Sequence, residues 1–202
     1  MFDALGSDRG QAFTLEGFSA GMVILASLLF ALQATAVTPL TASTSSQHIE
    51  NQQAATGKGV LTAAAEAGAL KPAVLFWNNS TRQFHGVTGQ ENFYTSGPPD
   101  NRFGEMLSRS FDQRGIAYNV YLDFVSQSGD IVPRRYVYNG VPTDNAVTAT
   151  YTVTLYDDDP LYDADETANE TRLGDPGSTY LIPDTGRNHY NTVRVEVIAW
   201  RI

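Results

Sequence analysis

The chain has 202 residues, with 13 Lys and Arg against 22 Asp and Glu, a formal net charge of −9 and a pI near 4.6. That balance argues against nucleic-acid binding, which needs clustered cations to meet phosphates. Cysteine is absent, so disulfides, thiolate metal sites and cysteine nucleophiles are excluded and the fold must be held by its core. Lysine is confined to Lys58 and Lys71. An acidic, lysine-poor surface suits a protein kept soluble in concentrated salt, and equally an ordinary acidic protein.

The most informative segment comes first. Residues 17–37 form one apolar stretch without a charge, and no second such stretch follows. A membrane-spanning helix needs about 20 predominantly apolar residues. Arg9 precedes the stretch and the next cation after it is Lys58, so the positive-inside rule puts the N-terminus in the cytoplasm and the bulk of the chain outside the cell membrane. Three fates are compatible with the segment: a signal peptide cut at Ala34-Thr35-Ala36, an uncleaved anchor, or a leader cut ahead of the apolar helix. Gly17 and Gly21 make a small-x-x-x-small pair, and Ser27, Ala31 and Thr35 continue a stripe of small residues; such a stripe suits close helix–helix approach in lipid, or is incidental on a solitary helix.

Downstream, residues 47–70 are rich in Ala and Gln and predict a helix, with a break after the span near Pro39, interruptions at Gly57 and Gly59, and an end at Lys71-Pro72. Residues 73–77 are a short apolar run expected as a buried strand, and 78–100 are expected as loop. Phe103, Met106, Leu107 and Phe111 share one helical face over 101–114, capped by Asp100 or Asn101 at the start and Gly115 at the end. The period then becomes two. Ile116, Tyr118, Val120, Leu122 and Phe124 alternate with polar partners, and 135–138 is a shorter strand after the hairpin turn Ser126-Gln127-Ser128-Gly129-Asp130. Val147, Ala149, Tyr151, Val153 and Leu155 alternate with threonines, and Val193, Val195 and Val197 alternate with Arg194 and Glu196. This predicts an α+β protein whose single N-terminal transmembrane helix extends into a helix lying on an antiparallel sheet. The expected divisions are a leader or cytoplasmic segment over 1–10, a transmembrane helix over 11–40, a helical stalk over 41–71 and an extracellular α+β domain over 72–202.

Other features carry weaker chemistry. The acidic run Asp157-Asp158-Asp159, with Asp163, Asp165, Glu166, Glu170 and Asp175, does not fit an EF-hand loop and reads as a solvated, mobile loop. Asn78, Asn79 and Asn169 open N-glycosylation sequons, with Asn169 favoured as a loop acceptor. His48, His85 and His189 lack metal-ligand spacing, and no nucleophile elbow, P-loop or dinucleotide fingerprint is present. Asp123 and Glu196 sit on strands that could bring them together, as acidic pairs do in any such protein. No catalytic residue, cofactor or metal site is expected, and the protein is not expected to be an enzyme.

Arg9-Gly10-Gln11, a short polar segment ending in Phe13-Thr14-Leu15-Glu16, and then an unbroken apolar helix resemble the class III leader of type IV pilins and archaellins. The resemblance implies a prepilin-peptidase cut between Gly10 and Gln11 that leaves the helix on the mature protein. It further implies membrane lipid, the peptidase and other pilin-like subunits as partners. Glu16 would be the sixth mature residue, one later than in bacterial pilins. The segments 32–40 and 43–53, Asn101-Arg102-Phe103-Gly104 and the closing 195–201 are similar to an uncharacterised family of haloarchaeal pilin-like membrane proteins. The implied function is a minor or accessory subunit of a surface filament. The alternatives are a membrane-tethered extracellular binding module and, third, a tethered hydrolase.

Overall fold

The computed structural model describes residues 4–186 and 189–201, and the side chains of 4–12 and 34–46 lie outside that description. The chain falls into two units, the first ending at Ile49 and the second spanning Glu50–Ile202.

One helix, α1 (Ala4–Glu66, 63 residues), begins in the first unit and ends in the second. Its backbone stays helical through Pro39, Gly57 and Gly59, where the sequence predicts breaks. A helix can carry a proline at the loss of one hydrogen bond. Gly57 has a packing role instead: a Cβ there would lie 3.0 Å from the Ala149 Cβ, so the glycine lets helix and strand approach. In the second unit α1 buries Gln53, Gly57, Val60, Leu61 and Ala64, one stripe at helical spacing.

Gly68, at φ 66, turns the chain out of α1. Lys71-Pro72 lies inside a short second helix, α2 (Leu70–Val74), rather than ending the first. Pro72 is tolerated there because first-turn N–H groups have no intrahelical partner. The expected strand over 73–77 is therefore mostly helix and turn, although all five residues are buried as predicted. Within the expected loop, β1 (Trp77–Asn78) pairs with β2 (Gln83–Phe84).

The helix α3 (Arg102–Ser110) forms as its pattern predicts. The Asn101 side chain caps it by accepting from the Gly104 N–H at 2.8 Å, and a 3-10 turn over Asp112–Arg114 closes on Gly115 at φ 65. The main sheet is antiparallel with order β4-β3-β8-β5, built from β3 (Ile116–Val125), β4 (Ile131–Tyr138), β5 (Val147–Leu155) and β8 (Asn191–Arg201). The predicted start of β4 at Arg135 misses its first half, because Pro133, Arg134 and Arg135 are all exposed and show no alternation. Tyr118, Val120 and Leu122 of β3 and Val193, Val195, Val197 and Ala199 of β8 face a single core shared with the α1 stripe. The fold is α+β, an apolar N-terminal helix joined to an antiparallel sheet domain.

Aromatic rings close one part of this core. Phe84 meets Trp77 and Tyr136 edge-on, at 5.2 and 4.8 Å between ring centroids. The Tyr136 and Tyr180 hydroxyls donate to the carbonyls of Ala73 and Val74, each at 2.8 Å. They thereby satisfy the end of α2, whose last carbonyls have no helical partner. Burial pushes the phenol pKa of Tyr94, Tyr118, Tyr136 and Tyr180 well above its ordinary value, and that of Tyr190 up to about 12.

The segment that carries the acidic run holds a hairpin, β6 (Pro160–Tyr162) and β7 (Ala168–Arg172), anchored by buried Leu161 and Leu173, with Glu170 on β7 and the other carboxylates in the turns around it. Four of its carboxylates, those of Asp159, Asp165, Glu166 and Asp175, accept from backbone N–H groups. Asp159 accepts from the Tyr156 N–H and pairs with Lys71, and Asp175 accepts from the Arg172 N–H. Asp165 accepts from the Thr167 hydroxyl and N–H, which lowers its pKa. Both Glu166 oxygens take the Arg102 N–H at the start of α3, at 3.0 Å, where a negative charge suits the helix dipole.

Candidate assembly surface

The stretch Phe13–Gln33 of α1 has a mean hydropathy of 1.9 and none of it is buried. Phe13, Phe18, Ile24, Leu28 and Phe30 are all more than half exposed, so the apolar surface lies on several sides of the helix rather than along one stripe. A helix apolar all round requires a non-aqueous surrounding. By length and composition this one suits a membrane anchor, and a signal sequence near the N-terminus has the same properties. Ser19 and Ser27 turn their hydroxyls back onto the carbonyls of Leu15 and Val23, each at 2.8 Å, which satisfies them without water.

Glu16 is the only ionisable residue of this stretch, and it is exposed. Gly17 and Gly21 also stand open: a Cβ at either would meet nothing within 4 Å. Nothing in the chain itself therefore requires glycine there, whereas close approach by another helix would. Gly10 and Gln11 lie on the helical backbone, but their side chains are outside the described residues, as are those of Ala34, Thr35, Ala36 and Pro39.

The three sequon asparagines differ. The Asn79 side chain is held at both ends, donating to the Gly177 carbonyl at 2.9 Å and accepting from the Thr179 N–H at 2.6 Å. Asn169 lies on β7 rather than in a loop, and its amide donates to Asp163 at 3.0 Å. Asn78 uses its carbonyl oxygen in a turn with Ser80 and Thr81.

Asp123 and Glu196 do share the sheet face turned away from α1, but the partner of Asp123 is Arg194, directly opposite it in the register. The guanidinium donates twice to one Asp123 oxygen, at 2.8 and 3.0 Å. Burial, and then the Asp123 charge, raise the pKa of Glu196. Sequence reading missed this ion pair because it depends on which strand β8 joins. A cavity of about 330 Å³ lies beside the first half of β4, lined by Gln90, Asn92, Phe93, Arg134 and Arg135 among others. Arg135 rests on the Tyr138 ring, 4.1 Å from its centroid. His48, His85 and His189 stay in separate segments, and among the described residues no three His, Asp or Glu side chains gather as a metal site.

No curated protein and no solved structure matches the chain. The pattern of one protein family, described as a family of unknown function (DUF7288), matches residues 9–199, which take in both the apolar span and the sheet domain. The chain belongs to that family.

Proposed function

We propose that the protein is a pilin-like structural subunit of the cell surface, held in the membrane by the first half of α1 and presenting the sheet domain outside. The observation that carries this reading is α1 itself. One helix runs unbroken from an exposed apolar span to a stripe packed on a four-stranded antiparallel sheet. The family match supports it further, because it begins at Arg9, next to the Gly10–Gln11 junction, and includes the span. A removable signal peptide would not need to be continuous with a domain's core helix. Open glycines at Gly17 and Gly21, and a carboxylate at Glu16 that hydrocarbon would not accept unpaired, are what a subunit packed against its neighbours needs. The role is that of a minor or accessory subunit, with no catalytic chemistry.

The test is self-association of the full chain in detergent and in native membranes. The proposal expects oligomers or filaments that are lost in a Gly17→Leu/Gly21→Leu variant and weakened by Glu16→Leu. Monodisperse wild-type single particles, indifferent to these changes, would overturn it. A second reading, a tethered monomer that binds an extracellular ligand, is favoured by the cavity beside Arg134 and Arg135, and the same monodisperse result would support it.

A further inference from the structure

The two edges of the main sheet are treated differently. On β4 the exposed half carries Pro133, Arg134 and Arg135, and the other half is covered by the main chain of Tyr94. Tyr94 N–H donates to the Tyr136 carbonyl, and Tyr138 N–H to the Tyr94 carbonyl, each at 2.8 Å. Proline, charge and a covering segment are the usual means by which a sheet edge is kept from pairing with another chain. The opposite edge, β5, has none of them. It pairs only with β8, and among the described residues no backbone hydrogen bond joins Val147–Leu155 to any other segment. Its sequence is Val-Thr-Ala-Thr-Tyr-Thr-Val-Thr-Leu, nine residues without a charge, a proline or a glycine, in a chain of net charge −9. The uncharged run extends from Asn145 to Tyr156. Thr148, Thr150, Tyr151 and Thr152 are exposed along it.

We infer that β5 is a pairing edge whose occupant is the β5 strand of a second copy of this chain, antiparallel and centred on Tyr151. The strand is self-complementary about that residue. A two-fold axis at Tyr151 sets Thr150 opposite Thr152, Thr148 opposite Thr154, Ala149 opposite Val153 and Val147 opposite Leu155. Threonines then face threonines on the outer side, and apolar residues face apolar residues on the α1 side, along the whole strand. Cross-strand threonine and β-branched pairs stabilise a sheet, and a directly opposed like charge would oppose it. A neutral edge is what two strongly acidic molecules need in order to approach this closely. Residual repulsion between the two net charges is screened by salt, so the contact strengthens as salt is added, the reverse of an ion-paired interface. The contact lies in the sheet domain and does not depend on the helix assembly proposed above.

The chain has no cysteine, so single introduced thiols report the register directly. Full-length protein in detergent is prepared as Thr150→Cys, Thr152→Cys and, as an exposed control away from the edge, Gln113→Cys, each in the Gly17→Leu/Gly21→Leu background. Treatment with the shortest bis-maleimide is expected to give a mixed dimer of the Thr150→Cys and Thr152→Cys chains, enriched over either homodimer and increasing with salt. Tyr151→Lys, placed in both cysteine chains, sets two like charges opposite each other at the two-fold axis and is expected to abolish the mixed dimer, with folding checked by circular dichroism. The inference is overturned if the three variants cross-link equally, if the mixture of Thr150→Cys and Thr152→Cys chains stays monomeric, or if folded Tyr151→Lys chains give an intact yield. Because the span glycines are already replaced, failure here leaves the helix-assembly reading standing, and failure of that reading leaves this one standing.

Discussion

Gly57→Ala and Gly59→Ala are the same substitution two residues apart on α1, and the structure gives them different outcomes. Each removes a glycine from a helix interior, which by itself gains about 0.5–1 kcal/mol. A new Cβ at Gly59 meets nothing within 4 Å, whereas at Gly57 it lies 3.0 Å from the Ala149 Cβ. Carbon atoms in good contact sit about 3.5–4.0 Å apart, so helix or strand must give by about 0.5–1 Å. Overpacking of that kind costs about 1–3 kcal/mol. The propensity gain is common to both variants and cancels in the comparison, so the gap between them measures the contact of α1 with β5. At about 2–4 °C per kcal/mol for a domain of this size, Gly59→Ala melts roughly 1–4 °C above the parent and Gly57→Ala roughly 2–12 °C below Gly59→Ala. Thermal melts of the full chain in detergent, followed by circular dichroism, read both numbers. Adding Ala149→Gly to Gly57→Ala is expected to close most of the gap. Equal stabilisation by the two alanines would refute the packing of α1 on the sheet at this point.

Gly104→Ala is expected to be more damaging, because its Cβ would fall 1.8 Å from the Pro99 carbonyl oxygen. Loss of the Asn101 cap as α3 moves away adds to overpacking, for a total of about 2–4 kcal/mol in denaturant unfolding. Tyr136→Phe leaves the buried Ala73 carbonyl with only the long 3.4 Å bond from the Phe76 N–H and is expected to cost about 1–3 kcal/mol in the same assay. The buried tyrosines make the fold sensitive to alkali. Their folded pKa values lie above the unfolded value of about 10, so the stability they contribute is full below that pH and falls as pH rises towards the folded values. Phenolate absorbance is expected to show a late step that coincides with loss of the far-ultraviolet dichroism signal. Smooth titration of all ten tyrosines with the dichroism intact would contradict this.

The elements legible in the sequence are those whose period matches their environment. The alternation of β3, β5 and β8 and the stripe of α3 identify themselves, because each gathers its apolar residues on the core face and most of its polar residues on the other. Residues 73–77 are ambiguous in principle: a short, wholly buried apolar run has no period, and here α2 takes part of it. The hairpin of β6 and β7 is hidden because Ala-Asn-Glu-Thr-Arg exposes or half-exposes every side chain, and its anchors are only Leu161 and Leu173. Gly57 reads as a helix breaker because its reason lies far along the chain, at Ala149. The same limit applies to the candidate surfaces. The apolar span is plain from composition, but Asn79 is tied to Thr179 at a separation of 100 residues, and only the insertion of β8 between β3 and β5 makes β5 an edge. The Gly10–Gln11 junction is legible only through resemblance to pilin leaders.

The most direct test of the anchored-subunit account is the N-terminus of the protein extracted from its native membrane, read by intact mass and terminal-peptide mass spectrometry. The account predicts a chain beginning at Gln11 that remains in the membrane fraction. A chain beginning at Val37, without the apolar span and free of the membrane, would contradict both the subunit and the tether. An intact Met1 would keep the anchor but contradict pilin-type processing.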